Sequence, residues 1–197
     1  MNAFYISTLV IMFVFSAWIC FGHRNNLGSS DQDLSHDPIF SKIGMWISLG
    51  GLIATFLYGI LFRMGIFSLE EPYIPQTFEV YILGLALFSG GVFIRLKAIR
   101  DLGYFFTFEI GIRPGHRVVK IGIYSIVRHP SYLGFVFLVV GFATCTGSMI
   151  VFLSSVIPMV IFFIMRIYSE EKMLVSHFGD EYREYMKTTK RLIPYVF

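Results

Sequence analysis

Long uncharged runs separated by short clusters of charge set the pattern of this chain. Residues 3–22 are twenty positions without a charge. At ~1.5 Å per residue they match the ~30 Å thickness of a bilayer's hydrocarbon. No basic segment precedes the run and no small-residue cleavage site follows it, so it reads as an uncleaved span and not a signal peptide. A second run covers 43–62, where Gly50 and Gly51 offer a surface for close helix packing. The third covers 78–97, with Arg95 and Lys97 at its end and Arg100 just beyond, placed to snorkel toward headgroups.

The next run is the longest. From Ser131 to Met165 there are 35 residues without a charge. As one helix they would reach roughly 50 Å, too long for one crossing and barely enough for two. Thr146-Gly147-Ser148 lies near the middle, which predicts a tight helical hairpin of two short spans, 132–146 and 149–166. Pro158 is expected to kink the second arm. The prediction is an all-α integral membrane protein of about five transmembrane helices, forming one domain over 1–197.

Composition agrees. The chain is 55% hydrophobic and 18% aromatic with a mean hydropathy of +0.68, a balance that a water-facing surface does not tolerate. The net charge of +3 says little, but its distribution orients the spans. Lys and Arg number two in the first connection, one in 63–77, seven in 95–131, none in the hairpin turn and six from Arg166 onward. The basic segments share one side when the amino terminus is outside and the carboxyl terminus is cytoplasmic. Cys20 and Cys145 both lie in apolar runs, which argues against a disulfide framework or a thiolate metal site. No basic run or aromatic-interleaved patch points to nucleic acid.

Chemistry concentrates in two places. The basic segment 101–132 is punctuated by glycine and proline, which favours an ordered loop with defined turns. It carries His116, Arg117, Tyr124, Arg128, His129 and Tyr132. The second place is Arg166 with Glu170, four apart and therefore on one helical face. Arginine abutting so long an uncharged run is expected to serve a ligand, since its fork suits a carboxylate. Leu174, Phe178, Tyr182 and Tyr185 continue at helical spacing as an amphipathic stretch, with the two tyrosines expected to anchor at the interface. His23, His36 and His177 lack metal-ligand spacing, and the two loop histidines lie thirteen positions apart, so no metal is expected.

Taken in order, His116-Arg-Val-Val119, Gly122-Ile-Tyr124, Arg128-His-Pro-Ser-Tyr132, Arg166, Glu170-Glu171, Phe178-Gly179, Glu181-Tyr182 and Tyr185 resemble the isoprenylcysteine carboxyl methyltransferase family. The resemblance covers about the last eighty residues and implies a membrane methyltransferase using S-adenosyl-L-methionine. It implies that His116, Arg117, Val118, Val119, Tyr124, His129, Pro130, Ser131, Tyr132 and Glu170 bind the cofactor. Arg166 matches the residue that meets the substrate, and with Arg128 it is the expected catalytic pair. Glu109 stands at a suitable distance upstream to touch the cofactor.

A carboxylate acceptor is ionised near neutral pH, with a reference pKa of about 4, so transfer to it requires positioning more than a base. An amine or thiol would need a proton sink, for which His129 or Glu171 is conceivable. The expected acceptor is a lipophilic or lipidated molecule entering from the membrane, with no obligate protein partner. Phospholipid N-methylation, thiol S-methylation, a nicotinamide-dependent membrane reductase and a non-catalytic membrane binder stay open as alternatives. The final Pro194-Tyr195-Val196-Phe197 is no prenylation signal.

Overall fold

The computed structural model describes residues 73–107 and 110–194, with isolated positions between 53 and 66. The expected span 3–22 and most of 43–62 lie outside the described residues, as does Glu109. Every extended element among the described residues is helical, and the only strand-like pairings are two isolated bridges, Tyr73 with Ser148 and Val127 with Lys190.

Helix α1, Phe78–Leu102, starts where the Thr77 side chain accepts a hydrogen bond from Val80 N, with Glu79 in the first turn against the helix dipole. Helix α2, Pro130–Thr146, opens on a proline, whose missing N–H costs nothing at that position. It closes on Gly147 in the left-handed conformation. The Ser148 hydroxyl then accepts from Val151 N at 3.1 Å and starts helix α3, Met149–Phe178. Two residues of turn chemistry thus separate two apolar helices. Helix α3 runs through Pro158 and continues to Phe178, beyond the boundary expected at 166. Arg166, Glu170 and Glu171 therefore lie on the same continuous helix as the apolar segment. Helix α4, Asp180–Thr188, follows Gly179 directly.

Helix α2 packs chiefly along α1 and less against α3. The α1–α2 seam is made of glycines. A Cβ on Gly91 would sit 2.5 Å from Gly134 O and from Leu138 N, and one on Gly141 would sit 2.4 Å from Phe88 N and 2.6 Å from Gly84 O. Gly84 faces Gly141 and Gly91 faces Gly134, so the helices run antiparallel with backbones in contact two turns apart. In lipid, where apolar side chains gain nothing by leaving solvent, this small-residue contact is what holds helices together. Tyr81, Phe88, Leu138, Val139, Phe142, Cys145, Met159 and Phe163 fill the core beside it.

Two described helical segments, Phe78–Phe105 and Met149–Phe178, are long and apolar enough to cross a membrane, and Pro130–Thr146 is a shorter apolar helix. Their outward faces carry Ile82, Leu83, Phe93, Leu153, Ile157, Ile161, Ile164 and Met165, all exposed. Such a surface fits lipid. Arg95 departs from expectation: it does not snorkel but is buried, donating from Nη1 to Ser131 Oγ at 2.9 Å, with its guanidinium 5.3 Å from the Phe135 ring centre.

The seam makes a paired prediction. Gly91→Ala should lower the thermal midpoint in detergent, with an overpacking cost of about 1–3 kcal/mol. Gly90, whose Cβ would meet nothing within 4 Å, should accept alanine with no loss or a gain of up to ~1 kcal/mol. Equal midpoints for the two variants would contradict a packed glycine seam.

Candidate active site

The loop after α1 is pinned to the end of that helix by Asp101. Its Oδ1 meets Lys97 Nζ at 2.6 Å and its Oδ2 accepts from Ile123 N at 3.0 Å. Gly122 permits this approach, because its φ is +60° and a Cβ there would lie 2.1 Å from Asp101 Oδ2. The tight turn Gly122–Ser125 that follows buries Tyr124. The Tyr124 carbonyl accepts from the Tyr185 hydroxyl at 2.5 Å. Tyr182 and Tyr185 are thus packed inside the protein at 3% and 5% exposure and are not interfacial anchors. Burial pushes the Tyr185 hydroxyl up to about 12 and raises Tyr124 as well.

The polar centre forms where α2 begins. Arg166 Nε donates to the Tyr132 hydroxyl at 2.8 Å, and that hydroxyl donates to Glu170 Oε2 at 2.6 Å. Arg166 and Glu170 share a helical face, as their spacing implies, with Tyr132 linking them. The Tyr132 ring lies between His129 and Phe163, nearly parallel to both, with centroids 5.5 and 4.9 Å away. Phe163 belongs to the apolar core, so the polar chain is built directly on it.

Behind this chain lies Glu171. Its Oε1 accepts from Arg128 Nε at 2.8 Å and its Oε2 from Arg191 Nε at 2.9 Å, while His129 Nε2 stands 3.5 Å from Oε1. Arg128 also donates from Nη1 to the carbonyls of Met186 and Thr189. Arg128, expected among the reacting groups, instead spends Nε and Nη1 on these partners in a buried setting. Both Glu171 oxygens are likewise taken by guanidinium groups, which leaves it poorly placed as a proton sink.

His116 occupies a separate apolar niche. Its ring stacks on Phe105 at 4.7 Å, almost parallel, and meets the edge of Phe178 at 5.4 Å. Among the described residues its buried Nδ1 has no hydrogen-bond partner. Burial, helped by nearby His177, lowers its pKa from the ordinary 6.5 to about 4, while Glu170 opposes the shift. The imidazole is therefore neutral at physiological pH. Val118 and Val119 are half-buried beside it in the chain, and Arg117 is exposed. Pro130 starts α2, and Ser131 is committed to Arg95.

Comparison with known proteins bears on this arrangement. The sequence profile described as "Isoprenylcysteine carboxyl methyltransferase (ICMT) family" matches residues 82–176. Protein-S-isoprenylcysteine O-methyltransferase A of Arabidopsis thaliana is 30% identical over 157 residues, which covers 76% of this chain and 80% of that protein. The chain belongs to the isoprenylcysteine carboxyl methyltransferase family. The Schizosaccharomyces pombe protein-S-isoprenylcysteine O-methyltransferase is 34% identical over 122 residues, or 60% of this chain and 52% of that protein. The chain thus spans about half the length of that relative. The solved structure of the eukaryotic intramembrane Ras methyltransferase of this family shares the fold, with a TM-score of 0.57 at 24% identity. That match covers 83% of this chain and 55% of the solved one.

The structure brings His129, Tyr132, Arg166 and Glu170 together and keeps His116 in its own niche. Several contributors gave little signal in sequence. Arg191 lies beyond the last motif, and nothing in its neighbourhood marks it. Glu171 stands in the motif and is a conceivable proton sink by sequence, but nothing there marks it as a junction for two arginines, since adjacent helical residues point about 100° apart. Phe105 and Phe163 were indistinguishable from other apolar residues.

The His116 niche predicts a pH response. Its neutral form is favoured by folding, so this contribution to stability is complete above pH 6.5 and is lost as pH falls toward 4. Thermal midpoints measured from pH 7 to pH 4 should therefore fall less steeply in His116→Gln than in the native chain. Parallel curves would show that His116 is not held neutral.

Proposed function

We propose that this protein is an S-adenosylmethionine-dependent methyltransferase that converts the carboxylate of an isoprenylcysteine-like, lipidated acceptor into a methyl ester at a membrane. The observation that carries this reading is the Arg166–Tyr132–Glu170 chain, in which a guanidinium and a carboxylate are held by one hydroxyl at the end of an apolar bundle. The names of the relatives support the choice of acceptor. The basic loop and the tail lie on the cytoplasmic side in this reading, by the distribution of Lys and Arg.

The residues present fit the methyl donor. His116 offers a neutral, buried nitrogen without a partner among the described residues, in a niche walled by Phe105 and Phe178, suited to a flat heterocycle with polar edges. Val118, Val119, Tyr124 and the His129–Tyr132 turn would complete the adenosyl side. Glu170 uses Oε2 on Tyr132, and its side chain is 27% exposed, which leaves an acceptor for an ammonium group. When bound, the donor supplies a methyl group already activated on a sulfonium. The protein's own task is then geometric. Arg166 fixes the acceptor carboxylate through charge-assisted hydrogen bonds, and Tyr132 holds Arg166 and Glu170 at a set separation. Arg128 supports the turn and does not touch the acceptor. A carboxylate arrives ionised, so no general base is required. The apolar wall of Phe163 and its neighbours limits water and strengthens each charge interaction.

The test is transfer of labelled methyl from S-adenosylmethionine to prenylcysteine analogues, total lipid extract and small thiols in parallel. The expected product is a base-labile ester on the prenylcysteine analogue. Label on lipid amines or thiols would overturn the acceptor, and native protein that binds neither S-adenosylmethionine nor S-adenosylhomocysteine would overturn the reading. Arg166→Gln should cut kcat/KM for the acceptor at least ~100-fold while changing donor affinity by less than about threefold. Glu170→Ala should show the reverse emphasis, with donor affinity down by about tenfold or more.

A further inference from the structure

The tail that follows α4 carries residues that no motif covers. Its segment 189–191 contacts the start of α2 through both backbone and side chain. Lys190 O accepts from Arg128 N at 2.8 Å and Arg191 O accepts from His129 N at 2.9 Å. The Arg191 guanidinium reaches Glu171 Oε2 at 2.9 Å and lies 4.5 Å from the Tyr168 ring centre. Glu171 is 4% exposed, and its other oxygen holds Arg128. Tyr168, Glu170 and Glu171 all belong to α3, so Arg191 ties the tail to the helix that carries the polar centre. His129 is caught between the two glutamates, with Nδ1 3.7 Å from Glu170 Oε2 and Nε2 3.5 Å from Glu171 Oε1.

From this we infer that Arg191 and Glu171 are positioning residues for donor binding, acting through His129 and Glu170 as a latch between the carboxyl-terminal tail and the His129–Tyr132 turn. The inference rests on the methyltransferase reading above. A latch is needed because α2 starts abruptly after a loop, and its first residues are those expected to meet the donor. The His129 side chain makes no capping hydrogen bond to the first turn of α2. The Tyr132 ring stacks on one face of the imidazole, and the Glu170 and Glu171 carboxylates flank its two nitrogens at 3.7 and 3.5 Å. Removing the Arg191 side chain leaves Glu171 Oε2 buried and unpaired. Glu171 then keeps Arg128 as its one guanidinium partner, and the donor-facing turn loses the side-chain support that Arg191 gives it from behind. The chemistry itself is untouched, since neither residue reaches the reacting groups. The signature is therefore a change in donor affinity and KM with little change in kcat.

The experiment uses the full chain in detergent or nanodiscs and compares the native protein with Arg191→Ala, Arg191→Lys, Glu171→Asp and Arg183→Ala. Arg183 pairs with Asp180 at 2.7 Å on the exposed face of α4 and serves as the surface control. Calorimetry with S-adenosylhomocysteine, donor KM and kcat, and amide hydrogen exchange over residues 127–133 are the readouts. Arg191→Ala should weaken S-adenosylhomocysteine binding and raise donor KM by about tenfold, with kcat within about threefold of native. Exchange at the Arg128 and His129 amides should rise in the same variant. Arg191→Lys should recover part of the affinity, since an ammonium meets the carboxylate but lacks the flat stack on Tyr168. Arg183→Ala should match the native protein. Should Arg191→Ala fail to fold, Arg191→Lys and Glu171→Asp are expected to show the same KM-weighted loss in milder form. Native affinity and native exchange in the folded variants would overturn the latch. So would a loss confined to kcat or to the thermal midpoint. If the native protein binds no donor at all, the methyltransferase reading fails, and the exchange data still decide whether the latch exists.

Discussion

A carboxylate buried at 4% exposure and held by two guanidinium groups organises the polar centre of this protein. Burying such a group is costly unless its oxygens are all satisfied, and removing one partner of a buried pair typically costs about 3–5 kcal/mol. The pair itself adds little net stability over an apolar substitute, so its value lies in specifying one arrangement. Glu171 does this by fixing three segments that are distant in sequence: the last turns of α3, the loop end at Arg128 and the tail at Arg191. The His129–Tyr132 turn, Glu170 and Arg166 inherit their places from that junction.

The membrane makes this economy necessary. Helices α1 and α2 meet through glycines with their backbones in contact, leaving no room at the seam for side chains that would bring polar groups along. Arg95, near the end of that seam, must find partners inside the protein, and it does so at Ser131 and the face of Phe135. The start of α2 is thereby held from the α1 side at Ser131, while Glu171 and Arg191 hold Arg128 and His129, just before it, from the other. Apolar packing sets the helix axes, and a few satisfied charges set the rotation and register of the site.

Opposite electrostatic solutions stand side by side in this site. His116 is kept neutral by burial between aromatic rings, whereas the glutamates and arginines keep their charges by pairing. A pocket for a cationic donor and an anionic acceptor benefits from both, because a neutral wall does not compete with the charges that orient the ligands. This division is consistent with membership of a family of membrane methyltransferases.

The sequence by itself determined the apolar helices among the described residues, the turn at Gly147-Ser148 and the family to which the chain belongs, because these depend on local periodicity, capping residues and ordered motifs. It also placed Arg166 and Glu170 on one face, since helical spacing alone dictates that. Tertiary structure decided what those residues do with their hydrogen bonds. Tyr182 and Tyr185 looked like interfacial tyrosines and turned out to be internal, because exposure depends on where the loop folds back. Arg95 looked like a headgroup anchor and is buried, because the glycine seam brings Ser131 to it. Arg191 had no sequence signal at all. Its role arises from a chain reversal after α4 that delivers one guanidinium to one carboxylate twenty residues away, and no local pattern encodes such an encounter.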